Sequence, residues 1–510
     1  MTKAQLSTAP SVATRKPKRV TPATSDMITI GKDVLELLSS AMYVDPLTIY
    51  REYVQNAADA IDEIRTAGGL GQDERGTVQI TIDPLERSIK IRDNGSGIAA
   101  NRAAATLLSI GASGKRGTAA RGFRGVGRLA GLAYCRQLTF RTRAQGDDRV
   151  TEVIWDCLKL KSTLRDVTQT DDLPGVMQRI VAIGDVDGDD FPEHFFEVEL
   201  SQVVRLRKDV LLNPQMVEAY LAQVAPVPFA DDFSHAAAIN AHLSQHARLA
   251  DLKITIGPDG APITRPHRDV FSVSDTVRDS AVELDLLTFD GDNGVSAVGW
   301  VLHHSYLGHI SIKSQIGGLR LRAGNVQVGG HDIAEEAFPE PRFNGWSIGE
   351  IHVVDRLVLP NARRDHFEQN IHFSNLMAQL GPLGRSIAKR CRTASVERHR
   401  EREARQEATT VVPLEIAADA SPTAVAMAQV VTRAREVLSR AQAPEAREAL
   451  AVLDTMRDAV SPTSSPTTRD TNSLSQRFAE VLAQTGVSKA EASEAFAKAL
   501  AARFGQGGAK

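Results

Sequence analysis

The feature that most constrains this fold is a helical segment with two chemically different faces. The spacing of its apolar residues predicts a helix from about Pro46 to Arg65, ending before the helix-breaking pair Gly68-Gly69. The apolar face must pack against another layer, and its residues are Ile49, Tyr53, Ala57, Ala60 and Ile64. The adjoining face carries polar groups at the same helical spacing: Glu52, Asn56, Asp59 and Glu63. Such a stripe is ordinarily a solvated surface, so its role depends on the segments that follow it.

Strand patterns come next along the chain. Apolar residues alternate with polar ones from 78 to 82 and again from 89 to 91, which predicts a β-hairpin with one buried face. Further strands are predicted at 138–142, 152–155 and 195–200. Helical spacing of apolar residues also predicts a first helix at 28–41. Two helices together with mostly antiparallel strands favour an α+β sandwich over an alternating βαβ repeat.

The length and local composition divide the chain into segments. At roughly 100–200 residues per domain, 510 residues suggest about three domains. We predict a disordered basic tail (1–26), the α/β sandwich (27–200), a helical connector (201–250), a second α/β domain (251–395) and a helical tail (396–510) with a flexible joint near 461–473.

Composition narrows the functional classes. The net charge of −3 gives no global indication of a nucleic-acid or anionic-membrane partner, although local basic clusters leave nucleic acid open. No apolar run approaches the roughly 18–20 residues of a membrane span, and the N-terminus lacks the apolar core of a secretory signal. The three cysteines are widely spaced in the sequence and form no disulfide or zinc pattern. We therefore expect a cytoplasmic protein without a membrane partner.

An acidic residue ends the predicted hairpin. Because side chains alternate along a strand, Asp93 shares the inward face with Ile89 and Ile91, where a carboxylate needs partners. Gly95 and Gly97 follow directly and allow a close approach of the backbone to a ligand. A plain turn is the alternative interpretation, since Asp-Asn-Gly is common in turns.

A glycine-rich stretch completes the pattern. Seven glycines lie between Gly111 and Gly131, together with the cations Lys115, Arg121 and Arg124. A helix is predicted to open at 125–127, and free N–H groups at a helix start bind phosphate. The stretch is not a P-loop, because Ser109 and Arg116 occupy positions that would need Gly and Ser or Thr. A dinucleotide fingerprint at 125–130 carries little weight, because no predicted strand precedes it.

In this order, the three features resemble the ATP-binding domain of the GHKL superfamily, which includes gyrase-type topoisomerases, HtpG-type chaperones, histidine kinases and MutL-type repair proteins. The resemblance is strongest to the HtpG-type chaperones, and it covers about residues 27–200. It rests on Arg51-Glu52-Tyr53-Val54-Gln55-Asn56-Ala57-Ala58-Asp59-Ala60 and on the segment 122–127, here called the glycine box. A later segment, residues 194–197, lacks the Gly-Thr pair that relatives usually carry on the corresponding strand.

The resemblance implies roles for individual residues. Glu52 would be the general base, and Asn56 would hold Mg²⁺. Asp93 would accept the adenine amino hydrogen, and Gly97 would let the base approach. The complete set implied for ATP binding is Asn56, Asp59, Asp93, Gly95, Gly97, Ser113, Lys115, Gly122, Phe123, Arg124, Gly125, Val126 and Gly127.

A second resemblance lies far downstream. Residues 357–365 are similar to the segment of HtpG-type middle domains that sends an arginine to the γ-phosphate, and residues 317–325 are similar to a strand of the same domain. By this register, Arg364 is the second catalytic candidate, beside Arg363. The alternative interpretation is a basic pair on the surface.

Together these resemblances imply an ATP- and Mg²⁺-dependent, HtpG-like chaperone or clamp that hydrolyses ATP, forms a homodimer through nucleotide-gated contacts and acts on protein clients. Two alternatives stay open from the sequence. One is an ATP-switched subunit of a DNA-processing or defence system, similar to MutL or MORC proteins. The other is a nucleotide sensor that binds ATP without hydrolysis.

Overall fold

The computed structural model describes residues 31–36, 45–71, 74–111, 121–122, 125–166, 168, 172–249, 252–292 and 294–417. The chain divides into two compact units, one up to Arg392 and one from Thr393 onward. The predicted basic tail at 1–26 and the predicted joint at 461–473 lie outside the described residues.

One sheet forms the centre of the first part of the chain. Its described strands are β1 (Gly76–Asp83), β2 (Ser88–Asp93), β3 (Gln137–Arg143), β4 (Arg149–Asp156), β5 (Val181–Asp187), β6 (Phe195–Ser201) and β7 (Leu252–Ile256). They lie in the order β5-β4-β3-β6-β2-β1-β7, and all neighbours are antiparallel except β1 and β7. The predicted hairpin is present as β1 and β2, in register from Val78 opposite Asp93 to Asp83 opposite Ser88.

Helices pack on this sheet. They are α1 (Asp33–Glu36), α2 (Thr48–Thr66), α3 (Ala100–Leu108), α4 (Cys157–Arg165) and α5 (Leu173–Ile180). The predicted apolar face of α2 is buried, and Ile49, Tyr53 and Ile64 are each less than 5% exposed. The observed mixture of helices and antiparallel strands confirms the α+β class for the described residues.

The helix predicted to open at 125–127 is a short 3-10 helix, Gly127–Ala133. The tight 3-10 form suits runs of only a few residues. This run contains two glycines, which disfavour a longer helix. The Tyr53 hydroxyl fastens it to α2, accepting the Gly131 N–H at 3.0 Å and donating to the Arg128 carbonyl at 3.1 Å.

Strand β7 joins a different sheet from the one that its sequence position suggested. We expected residues from 251 onward to belong to the second domain, whereas Leu252–Ile256 pair in parallel with β1 and complete the first sheet. Leu252 and Ile254 are fully buried there. Alternating apolar residues identify a strand, but they contain no information about which neighbour it pairs with.

A second sheet follows. Its strands are β10 (Glu283–Gly291), β11 (Gly294–His303), β12 (Gly318–Ala323), β13 (Val326–Val328) and β14 (Ile348–Val353), in the order β10-β11-β14-β12-β13. A small hairpin of β8 (Val270–Ser272) and β9 (Arg278–Ser280) precedes it. The helices of this part are α6 (Pro214–Val224), α7 (Ala236–Leu243) and α8 (Ile371–Ala417). No helix of the described residues is long and apolar enough to cross a membrane.

The cysteines are free thiols. Cys135 and Cys157, although distant in sequence, lie in the same core with their sulfurs 3.8 Å apart, and both are buried. Burial and the hydrogen bond to Cys157 raise the pKa of the Cys135 thiol. Such a protonated thiol is a weak nucleophile, in keeping with a structural role.

A buried charge cluster holds the second sheet. Glu350 on β14 accepts hydrogen bonds from Arg322 on β12, at 2.7 Å, and from Arg265. All three side chains are at most 3% exposed. Burial alone would raise the pKa of Glu350, but the two guanidinium groups outweigh burial and hold it well below its ordinary value.

We predict that Glu350→Gln destabilises the protein, because it leaves two buried guanidinium groups without a counter-charge. The expected loss is about 3–5 kcal/mol in the free energy of unfolding, measured by urea denaturation. Because the pKa of Glu350 is depressed, the wild-type contribution is lost as the pH falls through the folded-state pKa, well below 4.5. The matched control is Glu283→Gln, which removes an exposed pair with Arg390 and is expected to cost under about 1 kcal/mol. Equal losses in the two variants would contradict the assignment.

Candidate functional site

A cavity of about 1150 Å³ opens between α2, α3, the end of β2 and the residues around the glycine box. We call it the large cavity. Its walls include ten residues that the sequence analysis singled out: Glu52, Asn56, Asp59, Asp93, Gly97, Gly122, Gly125, Val126, Gly127 and Arg364. Gly95 lies two residues after Asp93 and donates its backbone N–H to the Asp93 carboxylate. Four further candidates lie outside the described residues: Ser113, Lys115, Phe123 and Arg124.

The polar stripe of α2 lines this cavity, and of its residues Glu63 is also exposed to solvent. Glu52 is 8% exposed and Asp59 is 6% exposed. The Glu52 carboxylate lies against the glycine box, since a Cβ on Gly127 would come within 2.4 Å of its Oε2 atom. A side chain at position 127 would therefore displace this carboxylate. The arrangement leaves a carboxylate beside a stretch of backbone that could carry phosphate.

Asp59 anchors the start of the glycine box. Its two carboxylate oxygens accept the backbone N–H groups of Arg121, at 2.9 Å, and of Gly122, at 3.0 Å. Asp59 lines the cavity. Its carboxylate, however, is hydrogen-bonded to protein backbone through these contacts. Hydrogen bonds from N–H groups to an ionised acceptor are stronger than those between neutral groups, so this contact fixes the box on α2.

Arg121 links three parts of the structure. Its Nη1 atom lies 3.2 Å from Asp59 and 2.8 Å from Asp62, and its Nε donates to the Gly324 carbonyl at 2.6 Å. Gly324 is in the turn between β12 and β13, so the arginine joins α2 and the box to the second sheet. The sequence analysis treated Arg121 only as added positive charge, because nothing in a linear pattern places residue 324 beside it.

Arg128 closes the other end of the box. Its Nη2 donates to the Ser109 carbonyl at 2.6 Å and to the Gly125 carbonyl at 3.2 Å. Burial lowers the pKa of this guanidinium. Arg128 lines the large cavity, and it therefore places a positive charge where phosphate oxygens would bind.

Asp93 lies at the opposite end of the cavity. It is buried on the same face as Ile89 and Ile91, and its Oδ1 accepts the Gly95 N–H at 2.8 Å. Gly97 has φ +62°, and a Cβ there would come within 2.0 Å of the Arg143 carbonyl oxygen. Glycine is therefore required at position 97 for both its backbone angle and its space.

An aromatic residue replaces the missing Gly-Thr pair. Phe196 on β6 lies directly opposite Asp93 on β2, and it lines the large cavity. Thr142 on β3 pairs with Phe196, and its hydroxyl accepts the Ile98 N–H at 2.7 Å and donates to the Phe195 carbonyl at 3.2 Å. Sequence reasoning missed both residues, since their proximity depends on strand order.

Arg364 comes to the cavity from the second part of the chain. It is 7% exposed, has φ +55°, and its Nη2 donates to the Arg121 carbonyl. The neighbouring Arg363 is exposed, and its carbonyl accepts a hydrogen bond of 2.9 Å from Arg51 on α2. The surface-pair interpretation thus fits Arg363 only, whereas Arg364 lies at the site.

Comparison with known proteins agrees with this geometry. Residues 48–177 match the family model described as histidine kinase-, DNA gyrase B- and HSP90-like ATPase. These residues are therefore similar to GHKL ATPase domains. The GHKL resemblance inferred from the sequence is confirmed, and so is its HtpG-like character at the level of similarity.

The similar curated proteins are HtpG chaperones. The chaperone protein HtpG of Klebsiella pneumoniae subsp. pneumoniae is 29% identical over 159 residues, which is 28% of this chain and 25% of that protein. The HtpG of Burkholderia lata is 30% identical over 142 residues, 24% of this chain and 22% of that protein. The HtpG of Salmonella paratyphi A is 27% identical over 158 residues, 28% of this chain and 25% of that protein. The match thus spans about a quarter of the length of these relatives.

The residues present fit ATP with Mg²⁺. A Cβ on Gly122 would lie 3.3 Å from the Asn56 Oδ1 atom, so this amide oxygen faces the glycine box where phosphates would lie. Among the described residues, no group of three or more His, Cys, Asp or Glu could hold a metal ion. A single amide oxygen suits Mg²⁺, which usually takes one or two protein ligands together with phosphates and water.

We predict that Gly127→Ala impairs this site without unfolding the protein, because the added methyl group displaces the Glu52 carboxylate. We expect at least a tenfold loss of kcat/KM for ATP, about 1.4 kcal/mol in transition-state stabilisation, measured by phosphate release. The control is Gly184→Ala on β5, where a Cβ meets nothing within 4 Å. Wild-type turnover in Gly127→Ala would show that the carboxylate does not depend on this contact.

Proposed function

We propose that this protein is a Mg²⁺-dependent, HtpG-like ATPase that works as an ATP-gated clamp. The observation that carries the proposal is the meeting of Glu52 and Arg364 in one cavity, although they lie 312 positions apart in the sequence. The carboxylate comes from a helix of the GHKL domain, and the arginine comes from a loop after the second sheet. Such a composite site can form or break as the two parts move.

Each group has a defined task in hydrolysis. Glu52 orients the attacking water and takes its proton, and Arg364 stabilises the negative charge that develops on the γ-phosphate. Asp93 accepts the adenine amino hydrogen, and Phe196 covers the base. Backbone N–H groups of the glycine box and the Arg128 guanidinium hold the phosphates. Asn56 would hold Mg²⁺, which would neutralise phosphate charge when bound.

The gating follows from the contact that Arg364 makes with the protein backbone. Its guanidinium donates to the carbonyl of Arg121, immediately before the glycine box. A γ-phosphate offers a charged acceptor in place of this neutral carbonyl, and a charge-assisted hydrogen bond is about twice as strong. Arg364 would therefore exchange partners when ATP binds, pulling the loop at 357–365 over the nucleotide.

The wider role rests on the relatives. Because the similar proteins bear the name chaperone protein HtpG, we propose a chaperone-like action on protein clients and a homodimer closed by ATP. The free, buried cysteines suit a reducing compartment, and we place the protein in the cytoplasm. No described observation specifically favours the DNA-processing alternative over this role.

Glu52→Ala tests the catalytic assignment. The variant is expected to bind ATP with near wild-type affinity and to lose at least a hundredfold in kcat, the usual contribution of a general base. Binding is measured with a fluorescent ATP analogue and turnover by phosphate release. The control is Glu86→Ala, an exposed carboxylate in the turn between β1 and β2, which is expected to keep turnover. Unchanged hydrolysis in Glu52→Ala would refute the assignment, and absence of hydrolysis in the wild type would favour the sensor.

The same Glu52→Ala variant tests the clamp. Because it holds unhydrolysed ATP, it is expected to double its mass in light scattering when Mg²⁺ and ATP are added, and to return to the starting mass with ADP. The control is Asp93→Ala, which is expected not to respond, since it lacks the adenine acceptor. A mass that is independent of nucleotide in every variant would contradict nucleotide-gated dimerisation.

A further inference from the structure

A second cavity, of about 420 Å³, lies beside the large one. We call it the small cavity. Its walls come from α2, α6 and the second sheet with its loops, and Arg364 lines both cavities. Four arginines line it, against two aspartates: Arg51, Arg320, Arg363, Arg364, Asp45 and Asp365. The excess of positive charge suggests an anionic occupant.

Arg320 on β12 is the most informative of these side chains. It is 7% exposed, and its Nε and Nη2 atoms donate to the carbonyls of Gly317, at 3.2 Å, and Gln315, at 3.4 Å. Its Nη1 donates to the amide oxygen of Gln223 at 3.2 Å. All three acceptors are neutral and the contacts are long, and no carboxylate of the described residues lies within ion-pair distance of this guanidinium.

The surroundings of Arg320 increase the cost of its charge. Burial and the nearby Arg322 lower the pKa of Arg320 to about 10, in spite of the opposing fields of Glu350 and Asp332. Glu350 is already paired with two other arginines. A buried guanidinium without a counter-ion is unfavourable, and an anion in the cavity would remove that cost.

Arg51 faces the cavity from the α2 side. It is 7% exposed, and its Nη2 donates to the Arg363 carbonyl at 2.9 Å. Its Nε atom is buried and has no hydrogen-bond partner among the described residues. Its nearest carboxylate, Glu52, is 3.5 Å away and belongs to the large cavity. Arg51 is therefore a second buried arginine at the small cavity, and its Nε–H is an unused hydrogen-bond donor among the described residues.

The two aspartates on the wall do not neutralise these groups. Asp45 is exposed and accepts the Leu47 N–H at 3.0 Å. Asp365 is also exposed, and it accepts a hydrogen bond of 2.6 Å from the Asn361 amide. Both carboxylates are engaged in local turns and solvated, so their charge is screened more than that of the buried arginines.

We propose that the small cavity is a phosphate-binding site distinct from the nucleotide site. Guanidinium forks match phosphate oxygens in geometry and charge, and this cavity presents forks from both parts of the molecule. Its volume accommodates inorganic phosphate or a compact phosphate monoester. The role of the site, although not the binding itself, rests on the proposed ATPase: the phosphate split from ATP would reach it past Arg364.

Binding is tested on the full chain without nucleotide. Inorganic phosphate is titrated by isothermal calorimetry into the wild type, into Arg320→Gln and into the control Arg278→Gln, an exposed arginine on β9. We expect Arg320→Gln to weaken phosphate at least tenfold and Arg278→Gln to leave it unchanged. Equal affinity in all three proteins, or no binding of phosphate or of glucose 6-phosphate to the wild type, would overturn the proposal.

Two further comparisons identify the source of the phosphate and the cavity that binds it. Arg320-dependent binding of inorganic phosphate identifies the hydrolysis product as the ligand, whereas such binding of glucose 6-phosphate alone identifies a phosphate monoester. The titration is repeated with saturating Mg²⁺ and a non-hydrolysable ATP analogue. Retained binding supports a separate site, and complete displacement assigns the phosphate to the nucleotide site and overturns the proposal. Arg320-dependent binding in a protein without ATP turnover would support this site and refute the ATPase.

If Arg320→Gln fails to fold, a substitution at the edge of the small cavity still tests the proposal. Ile312 lies on the rim of the small cavity and is 69% exposed, so it tolerates polar replacement. Ile312→Glu brings a negative charge to the entrance and is expected to weaken phosphate severalfold, whereas the neutral Ile312→Gln is not. Equal affinities in this pair would count against an anion site.

Discussion

The carboxylate of Asp59 is the contact on which the site depends, because it holds two backbone N–H groups at the start of the glycine box. These two hydrogen bonds hold Gly122, the first residue of the glycine box, against α2. It also positions Arg121, whose side chain reaches the β12–β13 turn at Gly324 and whose carbonyl receives Arg364. Removal of the charge at Asp59 would therefore loosen three parts of the site together. These are the protein backbone proposed to bind phosphate, the link between the two sheets and the carbonyl that accepts the hydrogen bond from Arg364.

Much of this arrangement could be predicted from local patterns. The 3.6-residue period found α2 and its polar stripe, and strand alternation turned Asp93 inward. Position in space could not be predicted in the same way. Strand β7 joined the first sheet, and Phe196 came to lie opposite Asp93, because strand pairing is set by contacts between segments that are distant in sequence. Asp59 illustrates both: its face was predictable, but its binding to the backbone of residues 121 and 122 was not.

The second sheet supplies a stiff base for a loop that must move. Glu350 ties β12 and β14 through Arg322, and it also binds Arg265, so the strands that flank the small cavity are braced by buried charge. The loop at 357–365 is held by hydrogen bonds: the Asn361 amide donates to Asp365 at 2.6 Å, and the Gly329 N–H donates to the Arg364 carbonyl at 2.9 Å. The Arg363 carbonyl accepts a hydrogen bond from Arg51 on α2, and the Arg364 guanidinium donates to the Arg121 carbonyl beside the glycine box. In the proposed cycle, this braced sheet would keep the core in place while the Arg364 side chain changes partners.

Because Arg364 lines both cavities, their occupancies are thermodynamically linked. An arginine drawn toward a γ-phosphate takes positive charge away from the small cavity, and an anion in the small cavity holds that charge back. The linkage is therefore negative, and by reciprocity each ligand weakens the other equally. In the proposed cycle, phosphate released by hydrolysis would enter the small cavity and attract Arg364 away from the nucleotide, and the loop would then open. The shared arginine thus gives product phosphate a way to promote release of the clamp.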